Sequence, residues 1–111
     1  LKVFDLRSVS IRIEEIEKNI DFLSRILIEL KKESITDDEL IFKKYIELES
    51  LPKVKLFIQD KGIRTTRGTI YQAKDLSEII QSTPTHINKD IINFAHKIFN
   101  SNNKIINKLY N

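Results

Sequence analysis

Apolar residues recur along the first third of the chain at alternating steps of three and four. This spacing is the a/d register of a heptad repeat, and it is sustained over nearly four heptads. The residues in register are Leu6, Val9, Ile13, Ile16, Ile20, Leu23, Leu27 and Leu30. Mostly charged or polar residues flank them up to Asp21, and Phe22, Ile26 and Ile28 then widen the apolar surface. The pattern predicts one long helix over residues 6–33.

Two partners could cover this apolar stripe. One is a second helical chain, which would make residues 1–35 a coiled-coil or dimerisation helix with the a/d residues as its oligomerisation surface. The other is the set of later helices in the same chain, and the broader stripe after Phe22 favours that arrangement. The sequence leaves both open.

A capping signal starts the second helix. Thr36 as N-cap, two aspartates in the first turn and Glu39 as the third residue of a capping box predict a helix over residues 37–50. Its apolar residues are Leu40, Ile41, Phe42, Tyr45, Ile46 and Leu48. Because they cover more than one helix face, we expect this helix to form the buried centre of the fold.

A third, short helix follows directly. Ser50 and Pro52 mark its start, because proline is tolerated in the first turn, where a backbone N–H has no intrahelical acceptor. Val54, Phe57 and other apolar residues continue it over residues 52–60. Gly62 is expected to end the helix as the C′ residue.

The remaining chain predicts two more helices after an ambiguous segment. Thr69, Ile70 and Tyr71 favour either one strand of a short β-hairpin near residues 63–71 or an extended entry into the next helix. That helix spans about 72–81 and presents an apolar face made of Ala73, Leu76, Ile79 and Ile80. A final helix from about residue 88 carries Ile91, Ile92, Phe94, Ala95, Ile98 and Phe99. It is expected to continue through Ser101–Asn103 to Ile105, Ile106, Leu109 and Tyr110.

Composition supports a mainly α fold. The 111 residues include only two glycines and two prolines, too few turn residues for an all-β domain. The expected architecture is a long heptad helix followed, over residues 36–111, by a small helix-turn-helix-like bundle that serves DNA binding or protein interaction. Cysteine is absent, and no apolar run reaches the length of a membrane span. We therefore expect a cytoplasmic protein with no membrane association.

Catalytic chemistry is not indicated. The two histidines, His86 and His96, are not spaced to place both on one helix face as a metal pair would be. Carboxylates cluster in residues 14–17 and 37–39, where helix solvation and the helix dipole account for them. Since no nucleophile motif or nucleotide-binding glycine loop occurs, we expect no enzymatic activity, no metal and no cofactor.

Charge is distributed unevenly along the chain. Residues 1–50 contain nine Lys/Arg and twelve Asp/Glu, whereas residues 51–111 contain ten Lys/Arg and four Asp/Glu. Most of the cations in the second half lie in residues 53–74, which include only one carboxylate, Asp60. A basic segment with interleaved threonines can bind phosphate oxygens through charge and hydroxyl donors. The residues expected to contact DNA are Lys61, Arg64, Thr65, Thr66, Arg67, Thr69, Gln72 and Lys74.

The same segment resembles a known family of mobile-element proteins. Its pattern is carried by Gly62, Ile63, Thr65, Arg67, Gly68, Tyr71, Ala73, Leu76, Ile79 and Ile80. It looks like the segment that follows the catalytic domain in large serine recombinases, where a helix ending in glycine precedes a basic turn and a helix of a DNA-binding module. The resemblance covers residues 54–81 and implies DNA contact by residues 61–74. It implies nothing about recombination, because a heptad helix stands where the catalytic domain would be.

Two functions therefore remain as expectations. The first is a non-catalytic DNA-binding module of a phage or plasmid protein that binds double-stranded DNA. In this hypothesis the helix that begins near Gln72 enters a DNA groove, where Gln72 and Lys74 could contact base edges. The second is a helical protein–protein interaction or oligomerisation domain without nucleic-acid binding, whose partner is a second copy or another helical protein.

Overall fold

A computed structural model describes the backbone of residues 6–110 and the side chains of residues 6–103. Over this part of the chain there are five α-helices: α1 (Leu6–Lys31), α2 (Asp37–Leu48), α3 (Leu51–Asp60), α4 (Ala73–Gln81) and α5 (Lys89–Tyr110). Extended pairing in the same described range is limited to one isolated antiparallel bridge, between Arg64 and Ile70. The fold is mainly α, as the sequence predicts.

The chain divides into two compact units, Leu1–Lys32 and Glu33–Asn111. The first unit contains α1, whose start agrees with the predicted residue and whose end falls two residues early. The a/d residues from Val9 to Leu27 are between 37% and 58% exposed, and Leu30 is half-buried. Of the residues that widen the apolar surface, Ile28 is exposed and Phe22 is half-buried, whereas Ile26 is buried at 4% exposure. The exposed stripe of α1 is therefore the a/d set, and it does not extend to Ile26.

The second unit is built around α2. Ile41, Phe42, Tyr45 and Ile46 are buried on it, and α2 packs against α3, α4 and α5. A helix with apolar residues on more than one face can contact several neighbours at once, so its central position follows from its sequence. The prediction that this helix forms the buried centre is confirmed.

Side-chain caps fix the starts of α2 and α3. The Thr36 hydroxyl accepts a hydrogen bond from the backbone N–H of Glu39, and the Ser50 hydroxyl accepts one from Lys53, each at 3.4 Å. Both predicted N-caps are therefore present. The Glu39 carboxylate, expected to complete a capping box, lies 3.0 Å from the ammonium group of Lys43.

The last helix runs through its polar middle without a break. Ile91, Ile92, Ala95 and Phe99 are buried on α5. The Asn102 amide donates hydrogen bonds to the Tyr45 hydroxyl (3.4 Å) and to the carbonyl of Glu49 (3.2 Å), so it links α5 to the end of α2. The predicted contribution of Ile105, Ile106, Leu109 and Tyr110 lies outside the described side chains.

The short helix α4 buries a narrower face than the sequence predicts. Leu76 and Ile80 are buried and Ile79 is half-buried, but Ala73 is exposed, so its placement on the apolar face was wrong. Within the described residues, none of the helices combines the length and apolarity that a membrane crossing requires. The connection between α3 and α4 occupies residues 61–72 and carries all of the predicted DNA-binding residues except Lys74, which lies in the first turn of α4.

Candidate nucleic-acid interface

Gly62 ends α3 in the way the sequence predicts. Its φ is +74°, and its backbone N–H donates to the carbonyl of Gln59 at 3.0 Å. The next residue, Ile63, donates to the carbonyl of Ile58 at 3.2 Å. This pair of hydrogen bonds around a left-handed glycine is the Schellman motif. The chain therefore leaves α3 in a fixed direction, and the basic segment begins from a rigid support.

The residues after Ile63 form a tight hairpin. Thr65 N–H donates to the carbonyl of Thr69 at 2.9 Å, and Gly68 N–H donates to the carbonyl of Thr65 at 2.8 Å. Together with the Arg64–Ile70 bridge, these bonds enclose a three-residue loop whose last residue, Gly68, has a φ of +81°. The predicted hairpin near 63–71 is thus present as a turn with one bridge rather than as two strands.

Gly68 is not required by a close contact within the described chain. A Cβ at this position would meet no atom within 4 Å. The backbone conformation is the requirement instead, because residues with a side chain rarely adopt a φ near +81°. Gly68 closes the hairpin and leaves the surface beside it open.

Two of the three predicted threonines stabilise the hairpin itself. The hydroxyl groups of Thr65 and Thr69 are 2.7 Å apart, and the Thr65 hydroxyl also accepts from the backbone N–H of Thr69 at 3.2 Å. Thr66 is exposed at the loop, and its hydroxyl has no hydrogen-bond partner among the described residues. Thr66 is therefore the threonine with a hydroxyl available to a ligand.

Five exposed cations of the basic segment have no ion-pair partner in the part of the chain that the structure describes: Lys53, Lys61, Arg64, Arg67 and Lys74. By contrast, two lysines of α2 are paired. Lys43 lies 3.0 Å from the carboxylate of Glu39, and Lys44 lies 2.8 Å from that of Glu47. The hairpin and its flanks therefore carry positive charge that no carboxylate of the described chain neutralises by contact.

The hairpin does not place all of its predicted residues on one face. Neighbouring residues of an extended chain point to opposite faces, so Arg64, which is paired with Ile70, leaves from the face opposite to Thr65. Thr65, Thr66 and Arg67 line one shallow concavity together. The structure thus brings these three residues together and separates Arg64 from them.

The other wall of this concavity is acidic. It includes Asp75 and Glu78 of α4, and it is also lined by Tyr71. Burial raises the pKa of Tyr71, and the negative charges of Asp37, Asp38 and Asp75 raise that pKa further. The concavity itself is therefore an unfavourable place for a phosphate group.

The start of α4 is occupied by internal contacts. The backbone N–H of Gln72 donates to the carboxylate of Asp75 at 2.8 Å, so Asp75 acts as a cap. The side-chain oxygen of Gln72 accepts from the ammonium group of Lys55 at 3.1 Å. Lys55 belongs to the cation run in the sequence but was not among the predicted contact residues. Nothing in the spacing shows that this lysine reaches the next helix.

The ring of Phe57 contacts two of the lysines described above. The ammonium groups of Lys44 and Lys61 lie 4.4 Å and 5.4 Å from the centre of the Phe57 ring. Both distances are within the range of a cation–π interaction. The Phe57–Lys61 spacing of four residues could have indicated half of this arrangement. The approach of Lys44 comes from the packing of α2 against α3 and has no signal in the sequence.

The two histidines make ordinary structural contacts. His86 Nε2 lies 2.8 Å from the carboxylate of Asp38, and His96 Nε2 lies 2.9 Å from the carbonyl of Ser82. No group of three histidine or carboxylate side chains that could hold a metal ion occurs among the described residues. Neither of these contacts involves a residue of the basic hairpin.

Comparison of the chain with protein-family models, curated proteins and solved structures gives no match. The resemblance of residues 54–81 to serine recombinases is therefore carried by its own motif residues alone.

Proposed function

We propose that this chain is a non-catalytic DNA-binding module, which binds the phosphate backbone of double-stranded DNA through the hairpin of residues 63–71 and the lysines beside it. The observation that carries the proposal is the set of exposed cations on and around the hairpin that lack ion-pair partners in the described chain. The resemblance to recombinases adds the expectation that this protein belongs to a phage, a plasmid or a related mobile element and acts in the cytoplasm.

Unpaired cations on a rigid support favour phosphate binding for a physical reason. Each Lys or Arg that neutralises a phosphate releases condensed counterions, and this release supplies most of the free energy of sequence-independent binding. The hairpin is held at both ends, by the Gly62 termination of α3 and by the Gln72–Asp75 cap of α4. A supported loop loses little conformational entropy when it binds.

The same geometry favours contact with the backbone over insertion of α4 into a groove. Gln72 is engaged by Lys55, and Asp75 and Glu78 lie beside the first turns of α4. Two carboxylates near a groove would repel the phosphates on its edges. Arg64 and Lys61 do not line the concavity that contains these carboxylates. We therefore propose weak sequence discrimination, with the hairpin as the main contact.

Fluorescence anisotropy with a random-sequence duplex at increasing salt concentration tests this proposal. The affinity is expected to fall steeply as salt rises. The slope of log K against log salt is proportional to the number of phosphates that the protein neutralises. The double variant Arg64→Ala plus Arg67→Ala should bind more weakly to all duplex sequences alike. It should also reduce the magnitude of the slope of log K against log salt by about two.

A matched control removes two exposed cations from α1 instead. The double variant Arg7→Ala plus Lys18→Ala changes the net charge by the same amount but leaves the hairpin intact. It should keep the wild-type salt slope if the contact is local. Absence of binding at low salt, or equal losses for both double variants, would contradict a hairpin interface.

A helical interaction domain is the second candidate, and one specific observation favours it. The a/d residues of α1 are exposed along most of the helix, although apolar surface of this extent is normally covered. Under this alternative the chain would bind a helical protein and show no affinity for duplex DNA at low salt. The same titration distinguishes the two functions.

A further inference from the structure

The exposed stripe of α1 identifies an interface that does not depend on DNA binding. The helix has 26 residues, which is about 39 Å of length. Assigning Leu6 to heptad position a places Ile13, Ile20 and Leu27 at the other a positions. The d positions are then Val9, Ile16, Leu23 and Leu30. No polar residue interrupts either set.

We propose that α1 pairs with α1 of a second copy of this chain as a parallel, in-register, two-stranded coiled coil. The residues of the seam support a second copy as the occupant. Ile13 and Ile20 at a with Leu23 and Leu30 at d follow the preference of parallel dimers for β-branched residues at a and leucine at d. Val9 and Ile16 are the β-branched exceptions at d.

Charge beside the seam fixes the orientation of the two helices. Arg12 occupies position g and Glu17 occupies the following position e, and neither has a partner among the described residues. In a parallel dimer, each g residue faces the e residue five positions later on the other helix. Arg12 of one copy therefore lies beside Glu17 of the other, and the two-fold symmetry gives two such ion pairs in the dimer.

Two α1 helices that pair antiparallel over their full length lack this charge complementarity. This arrangement would bring Glu17 of one copy beside Glu17 of the other, because both lie close to the centre of the helix. Arg12 would then face the region of Asn19 and Ile26, where it finds no carboxylate. Like charges beside a seam disfavour pairing, so the sequence of α1 discriminates against this orientation.

Two isoleucines provide a matched test of the seam. Ile13 at position a is 50% exposed, and Ile11 at position f, on the other side of the helix, is 48% exposed. Sedimentation equilibrium of the full chain at micromolar concentration should give a dimer for the wild type and for Ile11→Asp. Ile13→Asp should sediment as a monomer, although it makes the same chemical change in the same helix.

The absence of cysteine from the chain allows a direct test of orientation. In the parallel dimer, a single cysteine at position 9 lies opposite its own copy, so Val9→Cys should form a disulfide-linked dimer on mild oxidation. Leu27→Cys should do the same. In the antiparallel pair, position 9 would be about 27 Å from its own copy along the axis and would instead face position 27.

The outcomes separate the proposal from its alternatives. A monomeric wild type, a trimer or tetramer, or equal effects of Ile11→Asp and Ile13→Asp would overturn it. Cross-linking confined to a mixture of Val9→Cys with Leu27→Cys would overturn the parallel orientation. Neither measurement uses DNA, so a failure here is distinguishable from a failure of the proposed function.

Discussion

Positive φ values concentrate at three residues of the described chain: Glu49 (53°), Gly62 (74°) and Gly68 (81°). Both glycines of the chain are therefore used where the backbone turns into the left-handed region. Glu49 has a side chain in this region and ends α2, with its N–H donating to the carbonyl of Tyr45 at 2.7 Å. The carbonyl of Glu49 also accepts a hydrogen bond from the Asn102 amide at 3.2 Å.

Gly68→Ala is expected to destabilise the protein by about 1–2 kcal/mol, which is the cost of placing a side chain in the left-handed region. The space around the Cβ is open, so the cost comes from the backbone and not from a clash. Gly68→Asn should lose less stability than Gly68→Ala, because asparagine tolerates this conformation better. Urea unfolding of the three proteins gives the free energies of unfolding.

A control at another residue of the same loop checks that the effect is conformational. Thr66→Ala removes a side chain that has no hydrogen-bond partner among the described residues, and it should change the unfolding free energy by less than about 0.5 kcal/mol. Equal losses for Gly68→Ala and Gly68→Asn would show that a property other than φ limits this position.

The role of a residue could be predicted from the sequence when its contacts lie within a few residues along the chain. The role of Gly62 could be predicted because helix termination needs only the helix and its next two residues. The pairing of Thr65 with Thr69 could not, since it requires the exact length of the loop between them. The sequence analysis instead interpreted the three hydroxyl groups as phosphate ligands, and of these only the Thr66 hydroxyl has no hydrogen-bond partner among the described residues.

At the scale of the element, the start of α2 gathers several polar groups around Asp38. Burial of Asp38 raises its pKa, but the Thr36 hydroxyl, the ring of His86 and the backbone N–H of Glu39 outweigh burial. These groups hold the pKa of Asp38 below its usual value of 3.8. His86 precedes α5 in the chain, so this contact also joins the start of α2 to the segment between α4 and α5.

The lowered pKa of Asp38 predicts a pH-dependent contribution to stability. A carboxyl group whose pKa is lower in the folded state stabilises the protein above its unfolded pKa, and this contribution is lost as pH falls through the folded pKa. Asp38→Asn should therefore cost about 1 kcal/mol at pH 6, where the charged hydrogen bonds of the wild type are present. The difference between the two proteins should shrink as pH falls from about 5 to 3.

Unfolding free energies of wild type and Asp38→Asn at several pH values check this expectation. Other carboxyl groups titrate in both proteins, so the difference isolates Asp38. A difference that stays constant down to pH 3 would contradict the assignment, because it would mean that the protonation of Asp38 is the same in the folded and unfolded protein.

The elements themselves followed from periodicity, whereas the form of the connection between α3 and α4 did not. The heptad of α1 and the continuous α5 were predictable because a long apolar repeat dominates weak breakers such as Asn102. The length of the link between α3 and α4 was also predictable, because the helices predicted over residues 52–60 and 72–81 leave residues 61–71 between them. The sequence left open whether this link contains a short hairpin or an extended entry into α4, and residues 61–72 contain a closed hairpin.

At the scale of the whole chain, charge and apolar surface are separated along the sequence. The acidic half contains α1 with its exposed a/d stripe, and the basic half contains the hairpin with its unpaired cations. This separation is consistent with one segment for self-association and another for an anionic ligand, because a strongly basic coiled coil would itself attract DNA. The sequence predicts the segregation fully, since charge can be counted without a structure.

Dimerisation through α1 should strengthen DNA binding by presenting the hairpin twice. When one hairpin is bound, binding of the second becomes intramolecular, so affinity increases without a new type of contact. Ile13→Asp, which leaves the hairpin sequence intact, should therefore weaken duplex binding by about tenfold or more. It should also reduce the magnitude of the salt slope, because a monomer neutralises fewer phosphates. Ile11→Asp should match the wild type in the same anisotropy titration, and a monomeric Ile13→Asp with unchanged affinity would show that each hairpin binds independently.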